Sequence, residues 1–163
     1  MAALMAVATI PAAACEEPDL RVPTASEVAD YYSVDGRIET DVGGNVAQVV
    51  VYQPADQLRR GGTLWAKVGP YVFLFSDATL GLFRDFPGLA AVRVVTRHPS
   101  GTEVARATLA RATLNELTWR RALNVAGRAR VEGTQRVSLV EDLIRWGEQR
   151  TDFEYNPRYT RSR

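Results

Sequence analysis

The spacing of apolar residues changes repeatedly along the chain, and each change marks an expected element. Thr24-x-x-Glu27 has the form of a capping box, in which each side chain bonds the other residue's backbone N–H. It predicts a brief helix through Tyr31 and Tyr32 that stops at Asp35-Gly36. Ile38, Thr40 and Val42 then alternate with Glu39 and Asp41, the period of a half-buried strand. Gly43-Gly44-Asn45 supplies a turn, and the β-branched run Val46–Tyr52 reads as a buried partner strand.

Pro54 at a first helical position, followed by Ala55 to Arg60 and the stop Gly61-Gly62, predicts one or two helical turns. The stretch from 64 to 75 is ambiguous. Leu64, Val68, Tyr71, Val72 and Phe75 fit a period of 3.6, yet Gly69-Pro70 interrupts it and Tyr71–Phe75 has the composition of a strand. Ser76 is the expected N-cap of a helix from Asp77 to Phe86, closed by Pro87-Gly88.

Ala91–Arg97 and Thr102–Leu109 form an expected hairpin across His98-Pro99-Ser100-Gly101, whose Pro and Gly suit a type I turn. A second capping box at Thr113 to Glu116 opens a helix to about Ala129, with Leu117, Trp119 and Leu123 available for the core. A third, at Ser138 to Glu141, opens a helix carrying the stripe Leu139, Val140, Leu143, Ile144 and Trp146. From Thr151 the tail carries Phe153, Tyr155 and Tyr159 and is expected to dock as an extended segment.

This order predicts an α+β fold: a small, mainly antiparallel sheet with helices packed on one face, as a single domain over 25–163. If segment 54–88 crosses over, strands 46–52 and 91–97 lie parallel instead. Composition agrees with a packed domain, since 46% of the 163 residues are hydrophobic and 24% charged. A chain of this length hides roughly two-thirds of its unfolded surface without disulfides or metals. With one cysteine, one histidine and one lysine (Cys15, His98, Lys67), the chain lacks the side chains for a disulfide framework, a Cys-x-x-Cys redox pair or a two-histidine metal site. No cofactor is expected. The net charge of +1 conceals nine acidic and two basic side chains in residues 1–57 against ten acidic and eighteen basic in the rest.

Met1–Ala14 contains no charge and runs small and apolar to Ala12-Ala13-Ala14-Cys15, after which Glu16, Glu17, Pro18 and Asp19 follow at once. Such a stretch suits the apolar region of an export signal and is too short to span a bilayer, which takes about 20 residues. Small residues directly before a cysteine resemble the lipobox of bacterial lipoproteins. The segment departs from that pattern in having no Lys or Arg near Met1 and Ala12 in place of the usual leucine. The resemblance implies a diacylglycerol on the Cys15 sulfur and cleavage before it, so that 1–14 is a signal-like segment and 15–24 an acidic, proline-bearing tether. It places the protein in the cell envelope, periplasmic or outer-surface side, with a cytoplasmic location as the alternative. The partners it implies are the membrane, through the N-terminal anchor, and a protein of the envelope.

Beyond the leader, candidate chemistry is sparse. His98 is the one side chain that titrates near neutral pH unaided, so an envelope hydrolase or transferase would centre there. No Gly-x-Ser-x-Gly elbow accompanies it, and an ordinary turn histidine is the simpler reading. Glu39 and Asp41 share a strand face and read first as solvated carboxylates. Gly61-Gly62-Thr63 with Lys67 lacks the Gly-Lys-Ser/Thr order of a phosphate loop. Arg120, Arg121, Arg128 and Arg130 put four fixed charges on one expected helix, 116–130, an anionic-ligand candidate. Without interleaved aromatics, nucleic acid is an unlikely partner, and phospholipid headgroups or an acidic protein patch fit better. The leading expectation is a non-catalytic envelope protein acting as a binding or accessory module in a membrane-associated assembly. The alternatives are a His98-centred enzyme and an anionic-polymer binder using helix 116–130.

Overall fold

The structure, a computed structural model, describes residues 20–32 and 36–161. Five strands form one sheet in the order β1 (Ile38–Gly43), β2 (Val46–Tyr52), β3 (Ala91–Arg97), β4 (Glu103–Ala110), β5 (Asp152–Tyr155). β2 and β3 run parallel and every other pair antiparallel, so the crossover alternative is the one realised. Helices α2 (Ala55–Leu74) and α3 (Asp77–Asp85) make that crossover. The fold is a single α+β domain with a mostly antiparallel sheet.

Strand alternation gives the sheet two unlike faces. Val49, Val51, Val92, Val94, Ala107 and Leu109 point into the core. Glu39, Gln48, Arg93, Arg106, Thr108 and Glu154 share the opposite face. All the packed helices lie on the apolar side. α2 rests on β3 and β4, and α4 (Glu116–Glu132) and α5 (Val137–Glu148) rest on α2 as an outer layer. α1 (Ala25–Tyr31) has the expected capping box and covers β1, and α6 (Pro157–Thr160) closes the tail against α2.

Burial on several sides explains the ambiguity of 64–75. A helix held between a sheet and two further helices is apolar nearly all round, so Tyr71–Phe75 reads as a strand although it continues α2. The expected stop at Gly61-Gly62 is a kink instead. Gly62 has φ 58° and ψ −143°, a conformation open to glycine, and the helix resumes beyond it and runs through Pro70. The second cap lies two residues later than expected, with Asn115 bonding the Thr118 N–H, while Arg111–Thr113 is a short 3-10 turn. Leu117 is 72% exposed rather than in the core, and α5 begins at Val137 without the Ser138 cap.

The tail docks as expected, with β5 extending the sheet beyond β4. Of the stretch read as a tether, Leu20–Thr24 belongs to the body. The Gly88 N–H bonds the Arg21 carbonyl, Pro23 is buried, and a Cβ on Gly88 would come within 1.9 Å of the Leu20 carbonyl oxygen. The leader, Cys15 and residues to 19 lie outside the described residues.

Candidate functional site

Chain geometry at the start of α2 opens a cleft. Gly62 turns the helix, and Gly61 lets the Trp65 ring lie down along it, because a Cβ at 61 would sit 1.7 Å from Trp65 Cδ1. Between this turn and the α4–α5 connection lies a chamber of about 420 Å³, walled by Gln57, Arg60, Leu64 and Trp65 on one side and by Thr134, Val137 and Val140 on the other. Beside it is a smaller, inner chamber of about 120 Å³ lined by Tyr52, Gln53, Val68, Val72 and Phe73. Gln57 and Trp65 line both chambers and so stand where the two adjoin.

Gln53 gives the inner chamber its polarity. It directly follows β2, where its backbone N–H bonds the Arg97 carbonyl at 2.8 Å, and the residue is 5% exposed. Its Nε2 donates to the Trp65 carbonyl at 3.2 Å, which fixes which end of the amide is nitrogen. Its Oε1 has no donor among the described residues although it is sealed from solvent. Leaving a buried acceptor unpaired costs on the order of 1–3 kcal/mol. Gly69 makes room for this amide, since a Cβ there would stand 2.7 Å from Gln53 Nε2. The inner chamber therefore sits at the carboxyl end of β2, beside the end of its parallel neighbour β3.

No family model, curated protein or solved structure matches this chain. What it does has therefore to be read from its own side chains.

The expected anionic-ligand arginines do not converge. Arg120 pairs with Glu116 at 2.7 Å, and the Arg121 guanidinium lies 4.7 Å from the Trp146 ring centre. Arg130 donates to the Val72 carbonyl at 2.7 Å and the Phe75 carbonyl at 3.1 Å, closing the carboxyl end of α2. Arg128 is exposed. His98 sits half-buried in its hairpin turn and stacks on Tyr159, ring centres 5.9 Å apart. Its Nδ1 accepts the Ser100 N–H at 3.1 Å and lies 2.8 Å from Ser100 Oγ, with no carboxylate on the ring among the described residues. Glu39 is engaged by Arg37 and, at 3.2 Å, by the Tyr52 hydroxyl. Among the described residues no group of three or more His, Cys, Asp or Glu is placed to hold a metal, and no helix is long and apolar enough to cross a membrane.

A second polar cluster lies at the far end of α2. Tyr155 donates to Glu148 at 3.0 Å, and Tyr71 and Tyr155 join hydroxyls at 2.7 Å. Lys67 sits 5.5 Å from the Tyr155 ring centre. Burial pushes the Tyr71 hydroxyl up to about 12 and raises that of Tyr155 as well. Both stay protonated at neutral pH and serve as hydrogen-bonding pins between α2, α5 and the tail. Neither cluster is obvious in the sequence. The available signals are Gly61 four residues before Trp65 and Gly147 beneath Tyr71, where a Cβ would come within 2.3 Å of the ring.

Proposed function

We propose that this chain is a non-catalytic binding module held at the cell envelope, serving a membrane-associated assembly and receiving a small ligand in the cleft beside α2. The observation that carries the binding reading is the cleft itself, an outer chamber of about 420 Å³ adjoining an inner one beside a buried acceptor that is unpaired among the described residues. That volume lies within the roughly 300–1,000 Å³ typical of small-molecule sites, and a mostly apolar lining with few polar groups is their usual make-up.

Support for the envelope comes from the uncharged Met1–Ala14 and the break at Cys15. Only residues 16–19 separate that cysteine from the docked Leu20, a reach of about 3.5 Å per residue. Leu20 rests on Gly88, near the amino ends of β2 and β3, where the Ala90 N–H bonds the Asn45 carbonyl. The cleft is at the opposite ends of the same strands, so a lipid on Cys15 would hold the body close to the bilayer with the cleft turned away from it, towards a partner or a passing ligand.

Two measurements test this. In a bacterial host that processes lipoproteins, the mature chain should begin at an acylated Cys15, and Cys15→Ala should leave the membrane fraction; an intact Met1 with unmodified Cys15 would refute the tether. A small-fragment screen by NMR on the folded chain should give hits that shift cleft resonances, and a screen with no hit there would refute the binding role.

A further inference from the structure

We infer that the cleft takes a planar aromatic small molecule bearing an uncharged N–H or O–H donor, with that donor received by Gln53 Oε1. The inference rests on the binding reading above and adds the chemistry of the ligand. Three features of the inner chamber point to it together.

The first is the acceptor. Gln53 lines the chamber, its nitrogen is held by the Trp65 carbonyl, and its oxygen is unpaired among the described residues. That oxygen is covered in the unliganded chain, and the broad terminal torsion of a glutamine lets it turn towards a donor arriving in the chamber as the contacts around the amide shift. The second is a lining without charge among the described residues. It consists of apolar side chains, glycines, Tyr52, Gln53 and Gln57, with no ionised group among them to offset the desolvation of an ammonium or a carboxylate. The incoming donor is therefore neutral: a phenol, an aniline, an indole or an amide. The third is the walls. Trp65, Tyr52 and Phe73 border the chamber, and aromatic rings favour offset or edge contacts with another ring over contact with an aliphatic chain of equal area. Gly61 sets the position of the first of these walls by leaving room for the indole.

A matched pair of probes tests the assignment. p-Cresol and p-xylene have nearly the same shape, and only p-cresol carries a donor; p-xylene is the more hydrophobic, so a purely apolar cavity prefers it. Titrated into the full chain and followed through the Trp65 indole N–H and Gln53 side-chain amide signals, p-cresol should bind at least about tenfold more tightly, the ratio one hydrogen bond to an unpaired acceptor supplies. Gln53→Leu should reverse the order. Gly61→Ala, which displaces the Trp65 ring, should weaken both probes by a similar factor and leave their ratio unchanged, so the donor preference is read separately from the shape of the cleft. Equal or stronger binding of p-xylene to the wild type, or p-cresol shifts confined to residues outside the cleft, would overturn the inference. Equal binding of both within the cleft would do so while leaving the binding role intact, because that role falls only if fragments of every class miss the cleft.

Discussion

One side of α2 is packed and satisfied: Tyr71 and Leu74 are fully buried, the Tyr71 hydroxyl is bonded, and Arg130 occupies the last carbonyls. The other side, from Gln57 to Phe73, borders two cavities, turns at Gly62 and meets at Gly69 the Gln53 amide, whose oxygen has no donor among the described residues. One element thus carries a rigid side and an unfinished one. Close packing with saturated hydrogen bonds is what folding alone favours, and voids beside unpaired polar atoms work against it. At Gln53 a void and an unpaired oxygen coincide on one side of α2, whereas the other buried polar atom without a partner among the described residues, Trp146 Nε1, lies on α5.

Removing the centre of the packed side should have the largest effect. Tyr71 is fully buried against Phe75 and Gly147 and holds Tyr155, so Tyr71→Ala should cost about 4 kcal/mol. Urea unfolding would read this as a much lower midpoint, and the same truncation at half-buried Trp65 should cost clearly less. Equal losses at the two sites would erase the contrast between the sides.

Alkali should also weaken the fold through its buried tyrosines. Tyr71 keeps its proton in the folded chain up to about 12, while an unfolded tyrosine loses it at about 10. A raised folded value means the contribution is complete below pH 10 and is lost as pH climbs towards 12; Tyr155 and the fully buried Tyr32, raised the same way, add to the loss. Stability measured from pH 8 to 11 should decline at the top of that range, and Tyr71→Phe should flatten the decline. An unchanged slope in the variant would detach the hydroxyl pair from the pinning role.

How much of this the sequence makes legible depends on how local each cause is. The 91–97 and 103–110 hairpin follows from Pro99 and Gly101 in one turn, and the α1 cap from Thr24 and Glu27 three residues apart. α2 is hidden because its outward residues are apolar to meet α4 and α5, which begin 42 and 63 residues beyond its end (116 and 137 against 74). Leu117 illustrates the converse: an apolar residue on a helix whose buried face is set by Trp119, Ala122 and Ala126 instead. The arginines of 116–130 look like one patch in sequence, but Arg120 pairs with Glu116 on its own helix, Arg121 meets Trp146 of α5, Arg130 bonds the end of α2, and Arg128 stays exposed. The cleft is the least legible feature, since an unpaired Gln53 oxygen and the space before it arise from what fails to reach them, and no residue pattern records that.

At the kink the expected effect is intermediate. Gly62 holds a left-handed backbone that side chains other than glycine's tolerate poorly, so Gly62→Ala should cost roughly 1–3 kcal/mol. The site is exposed and nothing lies within 4 Å of a Cβ there, which assigns any loss to backbone conformation rather than to crowding. Circular dichroism showing a straighter, longer helix with no loss of stability would mean that the turn, and the chamber it opens, is not fixed by this residue.

The smallest effect should come from the residue given the most important role in the cleft. Gln53→Leu removes one hydrogen bond, to the Trp65 carbonyl, and with it an acceptor that nothing among the described residues satisfies. The two changes oppose each other, because replacing a half-paired buried amide by an apolar side chain of similar size recovers the desolvation cost of its unpaired oxygen, so stability should stay within about 1 kcal/mol of the wild type. A structural glutamine would behave differently: if Gln53 existed to tie β2 to α2, its loss should rank with that of Tyr71. A variant as stable as the wild type that no longer favours p-cresol over p-xylene would separate the two sides of α2, one maintained for the fold and one for what enters the cleft.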